Sequence, residues 1–74
     1  MDTHILLQKY PIMATIGDEY GVAKKIRFRD GRAAEEWATA MLGREWGETR
    51  TISVATFYKL GPDNEWIFDG EMEF

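Results

Sequence analysis

The sequence predicts an α+β domain, a single antiparallel β-sheet of about four strands in ββαββ order with one α-helix packed on one face. Three observations carry this. Segments that alternate apolar and polar with a period of two flank a single segment of helical period. Short turns bearing glycine, asparagine and aspartate join the flanking segments in pairs. At 74 residues, the chain has room for one small core, since a domain of this size buries only about 60% of the surface it exposes when unfolded. Residues 1–74 are therefore taken as one domain.

Ile5 to Ile16 is rich in β-branched and aliphatic residues, but Pro11 cannot donate to a ladder, so the first strand is expected to be an irregular edge. Gly17-Asp18-Glu19-Tyr20-Gly21 has the chemistry of a hairpin loop of about three to five residues. From Val22 to Arg29 the period is two. Val22, Lys24, Ile26 and Phe28 share one face and Ala23, Lys25, Arg27 and Arg29 the other, which makes one face core and one basic.

Asp30 has the side chain of an N-cap, and Arg32 to Trp46 holds the only helical pattern, with Ala34, Trp37, Ala38, Met41 and Leu42 in one apolar stripe. Gly43 is the early stop and Gly47 the later one. Thr49 to Leu60 reads as a third strand. Ile52, Val54, Tyr58 and Leu60 fall on one of its faces, and Thr51, Ser53, Ala55, Phe57 and Lys59 on the other. Gly61-Pro62-Asp63-Asn64 closes a hairpin whose returning strand, Glu65 to Phe74, places Trp66, Phe68, Met72 and Phe74 inward and Glu65, Asp69, Glu71 and Glu73 outward, with Ile67 the exception.

Composition narrows the function. With 45% apolar, 14% aromatic and 30% charged residues, the chain belongs with folded domains rather than disordered ones. It has no cysteine, hence no disulfide framework and no thiolate zinc site, and packing alone must hold it. Asp2 stands where a signal peptide carries positive charge, and Ile5 to Leu7 is too short for a hydrophobic signal core. No run approaches the roughly 18 apolar residues of a membrane span. A cytoplasmic protein with no membrane contact is the expectation. The net charge of −4 comes from the end of the chain, where residues 61–74 hold five carboxylates and no lysine or arginine.

Catalysis has little to work with. The chain has one serine, Ser53, and one histidine, His4, whereas nucleophilic catalysis needs a nucleophile beside an oriented base. Asp69, Glu71 and Glu73 at spacing two stand about 6.6 Å apart along a strand, too far to converge on one cation, so they read as a solvated acidic face. The glycines match neither phosphate-loop nor dinucleotide spacing. No enzyme, cofactor or metal is expected.

What remains is recognition. Lys25, Arg27 and Arg29, extended by Arg32 at the helix start, make a basic stripe able to track a nucleic-acid backbone, but without an aromatic interleaved on its face for stacking bases. If the second and last strands are neighbours, that stripe pairs with Glu65, Asp69, Glu71 and Glu73. Trp37 and Trp66 read as core; Tyr20 and Trp46 can either cap the core edge or face a partner. The candidate partner-binding set is Lys25, Arg27, Arg29, Arg32, Tyr20, Trp46, Glu65, Asp69, Glu71 and Glu73.

In its size, its hairpin before one Ala-rich helix (Ala33-Ala34-Glu35-Glu36-Trp37-Ala38) and its closing hairpin around Asn64-Glu65-Trp66-Ile67-Phe68-Asp69-Gly70, the whole chain resembles the small proteins that bacteriophages and other mobile elements encode against host machinery, anti-CRISPR proteins and RNA polymerase inhibitors among them. The resemblance implies a non-enzymatic, stoichiometric inhibitor of a larger bacterial protein or ribonucleoprotein complex. The alternatives are a small nucleic-acid-binding domain using Lys25, Arg27 and Arg29, and a self-associating protein, so that monomer and homodimer both stay open.

Overall fold

In the computed structural model, which describes residues 9–47 and 49–74, strand β1 spans Ile12–Asp18. Pro11 sets its start: the ring leaves no N–H to donate, while the Pro11 carbonyl accepts from the Leu60 amide at 2.8 Å. The part of the expected first strand before residue 9 lies outside the described residues. The expected irregular edge is corrected, because β1 is central, between β2 (Gly21–Phe28) and β5 (Val54–Leu60). Its run Met13-Ala14-Thr15-Ile16 is buried on both faces, as only an interior strand can be.

Glu19 and Tyr20 alone turn β1 into β2, a tighter turn than the expected loop. Gly17 belongs to the strand, and a Cβ there would stand 2.1 Å from the Gly21 carbonyl oxygen, so only glycine lets the hairpin close. The register slips between Ile16 and Gly17, pairing Ile16 with Lys24 but Gly17 with Val22. That bulge takes Val22 off the face of Ile26 and Phe28, and leaves it 62% exposed rather than in the core.

Helix α1 spans Gly31–Met41, with the Asp30 carboxylate accepting from the Ala33 amide at 2.8 Å as the cap. It ends earlier than Trp46. Gly43, at φ +85°, turns the chain out, and its amide bonds the Ile52 carbonyl at 2.8 Å. The helix lies chiefly over β1 and β2. Alanine on both surfaces sets the close approach: Ala34 and Ala38 of the helix and Ala14 and Ala55 of the sheet are all fully buried. Trp37 packs its ring 5.4 Å from Phe28.

The ββαββ order is not kept, because a small hairpin follows the helix, β3 (Glu45–Trp46) against β4 (Arg50–Thr51). The strand expected over 49–60 is thereby split. Ile52 falls in the break between β4 and β5, and from there its side chain enters the core with Ile16, Ala38 and Ala55. The last strand, β6 (Trp66–Glu73), pairs with β5 and closes the antiparallel order β2-β1-β5-β6. The α+β class, the four-stranded antiparallel sheet and the single helix on one face among the described residues agree with the sequence.

A bulge in β6 overturns one expectation. Tyr58 pairs with Phe68 and Phe57 with Gly70, leaving Asp69 as the extra residue, and Gly70 takes φ +132° to accommodate it. The side-chain phase inverts across it. Trp66 and Phe68 lie beside Glu71 and Glu73 on the face away from the helix, the open face, which no described helix or strand covers, whereas Met72 faces the helix side; Phe68 is 59% exposed, not core. Asp69 turns to the helix side, 3.9 Å from Lys59.

Candidate interaction surface

Strand order settles what the two charged stripes do to each other. Lys25 and Arg27 stand on edge strand β2 and Glu71 and Glu73 on the opposite edge, β6. Three strand spacings make about 14 Å, well beyond the screening length of about 8 Å in physiological salt, so the stripes do not neutralise one another within the chain. The ion pairs among the described residues are Arg32 with Glu36 at 3.2 Å, Arg50 with Asp18, and Lys59 with Asp69. Lys25 and Arg27 belong to none of them. Arg29 holds its guanidinium 5.8 Å from the Tyr10 ring centroid.

The register lays out the open face in rows. One row runs Arg27, Met13, Tyr58, Phe68, and the next Lys25, Thr15, Thr56, Glu71. Tyr58 and Phe68 meet edge to face, with centroids 6.4 Å apart and planes at 81°. This arrangement corrects the expectation of a basic stripe with no aromatic on its face. Asp69-Gly70, a glycine interrupting an otherwise regular strand pattern, is the sequence signal that could have found it.

Tyr20 and Trp46 both serve Arg50. Its guanidinium donates twice to the Asp18 carboxylate, at 2.5 and 2.6 Å, and lies 4.1 Å from the Trp46 ring and 5.6 Å from the Tyr20 ring. This clamp fastens the β3–β4 hairpin to the β1–β2 turn. The paired hydrogen bonds from Arg50 hold the Asp18 carboxyl at about 2, well below the usual carboxylate range. A depressed carboxylate pKa favours the folded state at pH values above its unfolded value of about 4, and that contribution is lost as pH falls from about 4 towards 2. Arg50→Ala is expected to lower the melting temperature by about 10 °C at pH 7. Scanning melts from pH 7 to 2 checks it, since the gap between variant and parent should narrow below about pH 4 and close only towards pH 2.

The remaining candidates scatter. Arg32 sits in the first turn of α1 on Glu36, away from the open face, and Glu65 precedes β6 at the Gly61–Asn64 turn. Ser53 opens on two shallow clefts, one with Asp18, Thr49 and Arg50 and one with Glu19, Glu71 and Glu73. No imidazole stands there among the described residues, because His4, the one histidine, lies outside them. The described residues gather no set of three or more histidine, aspartate or glutamate side chains around a common point able to hold a metal ion. No helix among them is long and apolar enough to cross a membrane.

No family model, curated protein or solved structure matches the chain. Its geometry therefore carries the functional argument. Lys25, Arg27 and, from β5, Tyr58 share the open face with Glu71 and Glu73, and the bulge adds Trp66 and Phe68 to them.

Proposed function

We propose that the chain is a non-enzymatic protein-binding module that docks a larger partner through the open face of its sheet. The observation that supports this is the row of Arg27, Tyr58 and Phe68, with an exposed aromatic at one end and, at the other, a guanidinium that joins no ion pair among the described residues. Aromatic and arginine side chains dominate the energetics of protein interfaces. The cationic and anionic edges flanking that row would orient the approaching partner and quicken encounter more than they tighten the complex. Stoichiometric inhibition of a bacterial defence or transcription complex is the concrete form that resemblance to phage inhibitors implies. An interface of usual size takes about 800 Å² from each partner, a large share of the 5208 Å² this chain exposes.

A second reading, single-stranded nucleic acid stacked on Tyr58 and Phe68 with phosphates on Lys25 and Arg27, gains from the aromatics on the basic face. It loses from Glu71, which faces a phosphate track in the adjoining row. Affinity capture from nuclease-treated bacterial lysate, with the parent and with Arg27→Glu/Phe68→Ala, separates the two. The double variant should weaken capture of one defined protein complex at least 30-fold, with a melting temperature within about 3 °C of the parent. Capture that survives the double variant would remove the open face from the proposal. Binding to bare oligonucleotide that falls steeply with salt would favour the second reading.

A further inference from the structure

The two free edges of the sheet are complementary to each other. Four antiparallel strands in the order β2-β1-β5-β6 leave the edge strands running in opposite directions. A second copy set beside the first, β2 against β6, therefore continues the antiparallel alternation with both helices on the same side. Among the described residues no strand pairs with the outer side of β2 or of β6, so each edge offers unpaired backbone groups, the usual template for another strand. Each also has a stretch free of bulges, Lys24 to Phe28 and Gly70 to Glu73, four to five residues long.

Charge selects among the pairings. Two copies joined β2 to β2 would set Lys25 and Arg27 against their own kind, and β6 to β6 would do the same with Glu71 and Glu73. Only β2 against β6 brings opposite signs together. Continued without stagger, Glu71 lies directly across from Lys25 of the next copy and diagonal to its Arg27, while Phe68 lies across from that Arg27. On the helix side, α1 leaves β6 partly uncovered, with Ile67 exposed and Phe74 80% exposed. The helix of the next copy would stand beside them.

We infer that this chain self-associates head to tail, edge strand β2 of one copy adding to edge strand β6 of the next. Such a heterologous contact does not close at two subunits, so the mass rises through a series with concentration instead of stopping at a dimer. The contact shares Arg27 and Phe68 with the proposed docking row, but it is read on the purified chain with no partner present, so its failure would leave partner docking standing.

Sedimentation velocity of the purified full chain at about 50 mM and at about 500 mM salt tests it. The expected result is a mass above that of the 8.6 kDa chain, rising with concentration and falling with salt. Lys25→Glu/Arg27→Glu and Glu71→Lys/Glu73→Lys should each raise the dissociation constant at least tenfold, because like charges then meet at the junction. Mixing the two variants in equal amounts restores opposite signs at every junction and should restore association. Should either swap fail to fold by circular dichroism, Lys25→Gln/Arg27→Gln and Glu71→Gln/Glu73→Gln are read by weakened association of each alone, since mixing them restores opposite signs only at alternate junctions. A monomer at all concentrations, a discrete dimer that both variants retain, or no recovery on mixing would overturn the inference.

Discussion

Ile16→Ala is expected to cost about 2–5 kcal/mol, enough to unfold much of the population of so small a domain at room temperature. Ile16 is almost wholly enclosed, at 2% exposed, and it packs among Ile52, Ala38 and Ala55. Its alanine neighbours decide the magnitude. Short side chains at a close helix–sheet contact have no length with which to fill a void, so the cavity persists and the transfer loss is felt in full. Val22→Ala is the control, an equally apolar change at a site 62% exposed, where the shift should stay within about 0.5 kcal/mol. Urea titration of both variants checks the pair. A midpoint for Ile16→Ala within error of that for Val22→Ala would mean that the core does not sit where Ile16 places it.

The sequence made legible whatever depends on one residue and its immediate neighbours. Asp30 caps the helix, Gly43 ends it, and Ala34, Trp37, Ala38, Met41 and Leu42 supply the buried stripe, because caps and helical periodicity are local. The open-face positions of Lys25 and Arg27 followed from strict alternation in β2. Strand order was not legible in the same way, since it depends on which edges meet after the chain has turned back four times. It was strand order that separated the basic stripe from the acidic one. Alternation also misleads wherever a bulge inserts a residue, as Val22 and Phe68 both show. The Arg50 clamp was equally hidden, its partners Asp18, Tyr20 and Trp46 lying 32, 30 and four residues away in sequence.

Gly70→Val is expected to cost about 1–3 kcal/mol and to remove Phe68 from the open face. At φ +132° a β-branched residue is strained whatever space surrounds it, and a Cβ on Gly70 would meet nothing within 4 Å, so the penalty is conformational and not steric. A strand that can no longer bulge at Asp69 returns to unbroken alternation, which puts Trp66 and Phe68 in phase with Met72 towards the helix side. Deleting Asp69 in the same chain removes the extra residue, lets Phe68 and position 70 pair in succession with Tyr58 and Phe57, and should restore the open-face placement with valine retained. Because the chain has no cysteine, Phe68→Cys gives a unique thiol whose labelling rate reports that placement directly. The rate should be near that of a free thiol with Gly70 in place, fall several-fold with valine, and recover when Asp69 is also deleted. Equal rates in all three chains would mean that the bulge does not hold the aromatic row, and the docking face would then have to be sought elsewhere on the sheet.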